Sequence, residues 1–178
     1  MALKDIFCAI AEMFEREKAD YAVIGAFALH AYGYTRATKD LDFVTRLAFR
    51  DKVISFLDSL GFETLHSSDA FSNHLHPVGG VRIDMMYLEG ETAGRVFSRV
   101  EKRPLFEGVA IPVVHPEHLI AMKLFAAKND ESRRLRDLAD IEEIVRMGYV
   151  DKQKVREYFI QFGLEAYYHE IEEGLGGN

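Results

Sequence analysis

The stretch that decides the fold is Val23-Ile24-Gly25-Ala26 followed, after a spacer of thirteen residues, by Asp40-Leu41-Asp42-Phe43. The apolar run that ends at Ile24 predicts a short buried strand, and Gly25 ends that strand before a short helix. The second block predicts another strand, on which Asp40 and Asp42 lie two positions apart and therefore on the same face. A strand–glycine–helix turn thus precedes a strand that bears two carboxylates.

This arrangement indicates Mg²⁺-nucleotide chemistry. Two carboxylates so close together repel each other in a half-buried site unless a cation joins them. Mg²⁺ takes oxygen ligands, commonly one or two carboxylates together with substrate phosphates. The backbone N–H groups that follow Gly25, at the start of the helix, form a natural seat for a phosphate. Each half of the pattern alone is weak, since glycine turns and Asp-x-Asp pairs are common.

A third carboxylate strengthens the prediction. Asp84 lies within the apolar run from Val81 to Met86, in the middle of a predicted strand. Because aspartate is depleted in strands, an Asp at this point needs a reason. One reason is membership of the same metal site as Asp40 and Asp42. The alternative is an Asp on the exposed face, paired with Arg82.

The rest of the chain predicts an α/β fold of the α+β kind, with a mixed sheet flanked by helices and a helical C-terminal portion. A helix over residues 3–18 precedes the first strand. Two strands, residues 72–78 and 81–88, flank Gly79-Gly80 and predict a two-residue hairpin. A second strand pair, residues 99–106 and 109–114, turns near Glu107-Gly108. The remaining elements are helices over residues 53–60, 117–128, 132–147 and 151–162 and a frayed tail over 172–178.

We expect residues 1–115 to form the core and residues 116–178 to form a helical portion packed on it as a single compact unit. No run of about 18 apolar residues predicts a membrane span, and Cys8 is the only cysteine, which fits a reducing cytoplasm. The 178 residues have a formal net charge of −7. Residues 1–136 contribute −1 of it and residues 137–178 contribute −6. This charge distribution is compatible with the binding of an NTP near the carboxylates, but it argues against the binding of a long duplex nucleic acid.

The pattern from Gly25 to Asp42, with its later strand Asp84, resembles the DNA polymerase β-like nucleotidyltransferase superfamily. Within that superfamily, Gly25-Ala26, Arg36-x-Thr38 and Asp40-Leu41-Asp42 resemble the minimal bacterial enzymes related to AbiEii-type toxins. Two later segments, Pro116 to Lys123 and Arg136 to Asp140, resemble the family motifs that bear a Lys and an Asp-x-x-Asp. The similarity extends from about residue 21 to residue 145.

The resemblance implies an enzyme with assigned roles. Asp40, Asp42 and Asp84 would be both the catalytic residues and the ligands of Mg²⁺, with two ions able to bind and Mn²⁺ as a substitute. Residues implied in binding ATP or another NTP are Gly25, Ala26, Arg36, Thr38, Lys123, Asp137 and Asp140. The second signature position is usually Gly or Ser, and Ala26 keeps the backbone N–H there but supplies no hydroxyl.

Lys123 has two interpretations. It is the one charged residue in the apolar run from Leu119 to Ala127, and an unpaired buried ammonium is strongly unfavourable. Asp137 and Asp140 lie three positions apart on one helix face and could pair with it. Such a pair could be purely structural, could hold Lys123 for a triphosphate, or could do both.

His74-x-His76 is a second candidate metal motif, for zinc. A two-residue turn pairs His76 with Ile83, His74 with Met85 and Asp84 with Leu75. Both histidines then lie on the face opposite Asp84 and cannot share its metal. We interpret them as hydrogen-bonded polar residues, with zinc as a minor alternative.

The predicted function is a cytoplasmic, Mg²⁺-dependent transfer of a nucleoside monophosphate from an NTP to a hydroxyl on a protein, an RNA end or a small molecule. Two alternatives stay open. One is a catalytically silent nucleotidyltransferase fold that acts as a binding or interaction module, an idea that Ala26 motivates. The other is the toxin half of a toxin–antitoxin pair, with an antitoxin protein as partner.

Overall fold

The computed structural model describes residues 3–106 and 109–176. The chain divides into two compact units, Met1–Val114 and His115–Asn178. Within the described ranges, no helix is both long and apolar enough to cross a membrane.

The first unit is built on a seven-stranded mixed sheet. Its strands are β1 Tyr21–Val23, β2 Asp40–Arg46, β3 Glu63–Ser67, β4 Phe71–Leu75, β5 Arg82–Leu88, β6 Glu101–Phe106 and β7 Val109–Val113. Their order across the sheet is β3-β4-β5-β2-β1-β7-β6. The pairs β2–β5 and β1–β7 are parallel and the other four pairs are antiparallel. The helices of this unit are α1 Leu3–Arg16, α2 Gly25–Ala31, α3 Arg50–Ser59 and α4 Gly90–Phe97.

In the core of the first unit, the apolar face of α1 packs against one face of the sheet. The buried residues of α1 recur at helical spacing and comprise Ile6, Phe7, Ile10, Met13 and Phe14. Strand β5 alternates buried and half-buried residues from Ile83 to Leu88, which is the period of a sheet with one covered face. The ring of Phe7 lies 5.3 Å from that of Phe43 on β2. The two faces of the sheet therefore differ: Leu41, Phe43, Ile83 and Met85 lie on the buried face.

The second unit consists of helices α5 Pro116–Asn129, α6 Glu131–Arg146, α7 Lys152–Phe162 and α8 Glu165–Gly176. Pro116 stands in the first turn of α5, where its missing N–H costs no hydrogen bond. Asp130 caps α6 by accepting a hydrogen bond from the Ser132 N–H at 2.9 Å. Gly163 ends α7 in the left-handed conformation at φ 71°.

The predicted fold class is confirmed, but three elements were missed and one predicted element is wrong. Strand β3 and helices α4 and α8 were not predicted, and residues 172–176 continue α8 instead of forming a frayed tail. The turn predicted at Glu107–Gly108 lies outside the described residues.

The predicted register of the β4–β5 hairpin is wrong. Asp84 pairs with Asn73 and His74 pairs with Ile83, two positions away from the expected partners. The turn has four residues, 77–80, since the His76 N–H donates to the Val81 carbonyl oxygen at 2.9 Å. Pro77 has no N–H to extend the ladder, so it begins the turn. A shift of two positions leaves each side chain on its predicted face of the sheet, so His74 still lies on the other face from Asp84.

Candidate active site

The parallel pairing of β2 and β5 brings two of the three predicted carboxylates side by side. Asp42 and Asp84 are register partners, and Asp40 pairs with Arg82 one step along the same face. Neighbouring strands lie about 4.8 Å apart, and partners in a parallel pair point to the same face. All three carboxylates are half-buried, between fully buried neighbours such as Leu41 and Ile83. The half-buried position of Asp84 does not match the alternative of an Asp on an exposed face.

Gly25 packs directly against Asp42. It has a φ of +64°, and a Cβ added to it would overlap Asp42 Oδ2 and come within 2.8 Å of Asp42 Cβ. The Ile24 N–H donates to the Asp42 carbonyl oxygen at 2.9 Å, so the end of β1 is fastened to β2 at this residue. Helix α2 begins at Gly25. The glycine thus permits both the left-handed turn and the close approach of a carboxylate.

The segment that joins α2 to β2 contains Arg36 and Thr38. The Thr38 hydroxyl accepts a hydrogen bond from the Asp40 N–H at 3.1 Å. Thr38 therefore fixes the backbone at the point where β2 begins and where the first carboxylate stands. Arg36 is half-buried in the same segment. Ala26 is only 2% exposed, so its side chain belongs to the packing of α2.

Asn73 is the site residue that sequence reasoning missed. It lies opposite Asp84 on β4, and its Nδ2 donates to Asp84 Oδ1 at 2.6 Å in a half-buried setting. The wrong turn length hid this pair, because a two-residue turn sets Leu75 opposite Asp84. Pro77 was the signal that could have lengthened the turn and revealed Asn73.

The donor set fits Mg²⁺ bound together with a nucleotide. Within residues 3–106 and 109–176, no three His, Cys, Asp or Glu side chains form a preformed metal-binding site. Mg²⁺ does not require one, because it usually takes one or two carboxylates, several waters and the substrate phosphates. Asp42 and Asp84, adjacent and half-buried, supply carboxylate oxygens of this kind.

The opposite face of the same hairpin holds a buried hydrogen-bond chain. His74 Nδ1 lies 3.1 Å from Thr64 Oγ1, and His74 Nε2 lies 2.7 Å from Ser72 Oγ. Ser72 Oγ in turn lies 2.7 Å from the Tyr87 hydroxyl. Burial lowers the pKa of His74, and the negative charge of Asp84 opposes that shift in part.

The two histidines of the candidate zinc motif have different surroundings. His74 is a hydrogen-bonded core residue, whereas His76 is half-buried at the start of the turn, where its Nδ1 lies 2.7 Å from the Val78 carbonyl oxygen. In the part of the chain that the structure describes, the two are not grouped with other ligands as a zinc site.

In the second unit, Lys123 is buried in an ion cluster. Its Nζ donates to Asp137 Oδ1 at 3.2 Å and to Asp140 Oδ2 at 2.6 Å. Arg133 Nε also donates to Asp137, through Oδ2 at 2.8 Å. Of these four residues, Lys123, Asp137 and Asp140 are buried, at 6%, 1% and 2% exposed. The predicted ion pair is present and joins α5 to α6, whereas its role in nucleotide binding stays a prediction.

Solved structures of three proteins share the fold of this chain at low sequence identity. The solution structure of the antibiotic-resistance factor ANT(2'')-Ia matches with a TM-score of 0.68 and 15% identity, over 98% of this chain and 97% of that one. The lincosamide antibiotic adenylyltransferase LnuA, solved with lincomycin, matches with a TM-score of 0.54 and 18% identity, over 81% and 96%. An antigenic nucleotidyltransferase-like protein from Paracoccidioides brasiliensis matches with a TM-score of 0.57 and 14% identity, over 99% and 93%.

The sequence itself matches one family. No curated protein matches the chain. The family model of the AbiEii nucleotidyl transferase toxin, of type IV toxin–antitoxin systems, matches residues 8–173. Since that range is nearly the whole chain, and the fold is that of nucleotidyltransferases, the chain belongs to the AbiEii nucleotidyl transferase family.

Proposed function

We propose that this protein transfers a nucleoside monophosphate from an NTP to a hydroxyl acceptor, with Asp40, Asp42 and Asp84 as its catalytic and metal-binding residues. The observation that supports this most strongly is the register of β2 and β5, which makes Asp42 and Asp84 neighbours on one face. Like charges that close are costly in a half-buried site unless a cation offsets them. Membership of the family supports nucleotidyl transfer as the reaction.

The proposed cofactor is Mg²⁺, as one or two ions, with Mn²⁺ as a substitute. Asp40, Asp42 and Asp84 would hold it, and when bound it would neutralise phosphate charge and stabilise the attacking and leaving oxygens. The chain's own contribution is to hold the carboxylates in position. Gly25 lets Asp42 pack against the start of α2, and Thr38 fixes the backbone at Asp40.

Asp84 is proposed to act on the acceptor. The acceptor oxygen attacks the α-phosphorus of the NTP and forms a new P–O bond. The bond from that phosphorus to the oxygen bridging to the β-phosphate breaks, and pyrophosphate leaves. The hydroxyl proton passes to the Asp84 carboxylate and from there to solvent, as in general base catalysis. The reaction is redox-neutral and needs no other co-reactant.

Nucleotide contacts are proposed for the residues around this centre and for the buried cluster of the second unit. The former are Gly25, Ala26, Arg36 and Thr38, of which Thr38 acts through the backbone of Asp40. The latter are Lys123, Asp137 and Asp140, whose family resemblance supports the assignment. The proposed acceptor is a hydroxyl of a protein, an RNA end or a small molecule.

The proposed biological role is that of a toxin with an antitoxin protein as partner. The support for it is the description of the family, a toxin of type IV toxin–antitoxin systems. A cytoplasmic location is proposed with it and agrees with the single cysteine.

Calorimetric titration with NTPs, with and without Mg²⁺, tests the proposal. We expect Mg²⁺-dependent binding by the wild type and its loss in the Asp40→Ala/Asp42→Ala double variant. Asp58→Ala, which removes an exposed carboxylate of α3, is the matched control and should bind like the wild type. Absence of binding in the folded wild type, or equal binding by the double variant, would refute the proposal. Binding without any transfer would favour the silent binding module that Ala26 suggests.

A further inference from the structure

Asn73 and Asp84 form a short hydrogen bond at the centre of the candidate site. The Asn73 Nδ2–Asp84 Oδ1 distance is 2.6 Å, and the two residues are register partners on β4 and β5. A carboxylate only accepts hydrogen bonds, so the amide nitrogen of Asn73 must face Asp84. A charge-assisted bond of this length is stronger than one between neutral groups.

Asn73 stands on the side of Asp84 that is away from the other carboxylates. His66 pairs with Asn73, Asn73 with Asp84, and Asp84 with Asp42, so these four residues form one row across β3, β4, β5 and β2. Gly25 closes the row at the Asp42 end by packing against that carboxylate. Each carboxylate of the central pair thus has a neighbour on its outer side, Gly25 for Asp42 and Asn73 for Asp84.

The terminal torsion of an aspartate is soft, because rotation between its sp³ and sp² atoms has broad minima. A hydrogen bond to one oxygen removes that freedom. With Oδ1 engaged by Asn73, the plane of the Asp84 carboxylate is set and Oδ2 is the oxygen left to meet the acceptor. Partners that orient metal-binding or catalytic carboxylates typically change metal affinity or activity about 10- to 100-fold when they are removed.

We propose that Asn73 is a positioning residue for Asp84, holding Oδ1 so that Oδ2 takes the proton of the acceptor hydroxyl. The inference rests on the proposed role of Asp84 in nucleotidyl transfer. Asn73 acts through Asp84 and needs no contact with either substrate. A merely structural role as a cross-strand pair would instead affect stability alone and leave kinetics untouched.

Kinetics of labelled-nucleotide transfer distinguish the two roles. The probes are α-³²P-labelled NTPs with cell extract as the source of acceptor. Asn73→Ala should lower the rate at saturating NTP about 10- to 100-fold, while the NTP concentration for half-maximal rate and the calorimetric Kd of Mg²⁺–NTP stay within about twofold. Asn73→Asp, of equal shape, should be at least as slow because it sets a like charge beside Asp84.

Two further variants complete the set. Asn73→Gln keeps an amide donor one methylene further out and should recover part of the rate. Leu75 lies two residues further along β4 on the same face as Asn73 and pairs with Arg82. The Leu75→Ala variant should transfer the nucleotide at the rate of the wild type. If Leu75→Ala and Asn73→Ala are equally slow, the effect belongs to the strand and the proposal is overturned.

A readout that does not depend on activity is the side-chain amide of Asn73 in ¹⁵N NMR spectra. We expect its protons to be protected from solvent exchange in the wild type and to lose that protection in Asp84→Ala. Unprotected protons in the wild type would overturn the proposal. Full-rate transfer by Asn73→Ala would also overturn it but leave the proposed function intact. If the wild type shows no NTP binding and no transfer, the proposed function itself is refuted, and the positioning role with it.

Discussion

At the residue scale, the site depends on how closely Gly25 and Asp42 approach each other. The glycine meets two demands at once, a φ of +64° and contact with the Asp42 carboxylate. Any other L-residue is strained by the first demand and collides with Asp42 because of the second. The carboxylate is therefore held where α2 begins, which is the position that the proposed phosphate-binding turn and metal site share.

We predict that Gly25→Ala abolishes nucleotide transfer, because the new Cβ displaces the Asp42 carboxylate. The left-handed backbone should also cost about 1–2 kcal/mol of unfolding free energy. Urea unfolding and labelled-NTP transfer measure the two effects separately.

Gly33→Ala is the control for backbone strain. Gly33 has a φ of +103°, but a Cβ there meets nothing within 4 Å. This variant should lose similar stability and keep its transfer activity. Equal activity in the two folded variants would contradict the role given to the contact between Gly25 and Asp42.

The identity of single residues predicts only part of the candidate site. Asp40 and Asp42 follow from the period of a strand, and Asp84 follows from its isolation among apolar residues. Asn73 could not be predicted this way, because an Asn in a strand signals nothing until its partner across the strand is known. That partner depends on the turn, and Pro77 lengthens the turn from two residues to four.

At the element scale, the β4–β5 hairpin has a different chemistry on each face. One face holds Asn73 and Asp84, and the other holds His74 within a buried hydrogen-bond chain that includes Ser72. Since burial lowers the pKa of His74, this histidine is neutral in the folded state near neutral pH. Protonating it requires charge in the core.

This arrangement predicts a loss of stability in mild acid. The unfolded chain binds a proton at His74 near pH 6.5, whereas the folded chain binds it only at a lower pH. Unfolding free energy should therefore fall as the pH drops through about 6.5 toward the lower folded pKa. Urea unfolding from pH 8 to pH 5 measures this fall.

The control compares two histidine variants. His74→Gln should be less stable than the wild type at pH 8 but should lose less stability on acidification. His169→Gln, at an exposed position, should follow the wild type. An unchanged pH slope in His74→Gln would contradict the assignment.

The α5–α6 pair gives the second prediction at this scale. Lys123→Met removes the ammonium group that pairs with two buried carboxylates and should lower the free energy of unfolding by about 3–5 kcal/mol. Lys123→Met/Asp140→Leu should regain part of that loss, because Asp140 no longer brings a buried charge. Calorimetry of Mg²⁺–NTP binding by the double variant then tests the role of the pair: unchanged binding assigns Lys123 and Asp140 to structure, and lost binding in the folded variant assigns the pair to the nucleotide as well.

The strongest apolar patterns were predictable, whereas α4 and α8 were missed although Val96 of α4 and Tyr168 of α8 are buried. Helix α1 follows from its apolar spacing, and β5 follows from its alternation. Strand β3 was not predicted because all five of its residues are exposed, so no hydrophobic periodicity marks it in the sequence. Its pairing with β4, which only the folded sheet supplies, makes it a strand.

At the scale of the whole molecule, the charge is distributed unevenly. Residues 137–178 hold −6 of the net −7, so the acidity belongs mainly to the C-terminal helices. Duplex binding draws most of its affinity from Lys and Arg contacts with phosphates. We predict no retention of duplex DNA in gel-shift experiments at about 150 mM salt, under conditions where Mg²⁺–NTP binds. Retention at micromolar protein would contradict this view of the surface.

The function proposed for the whole molecule requires that Asp40, Asp42 and Asp84 catalyse nucleotidyl transfer. The decisive measurement is the transfer of label from α-³²P-NTP to cell extract by the wild type and by Asp84→Asn, which keeps the shape of the side chain and removes its charge. We expect labelled product with the wild type and a rate about 100-fold to 10,000-fold lower with Asp84→Asn. Equal labelling by the two proteins would contradict the catalytic role of Asp84.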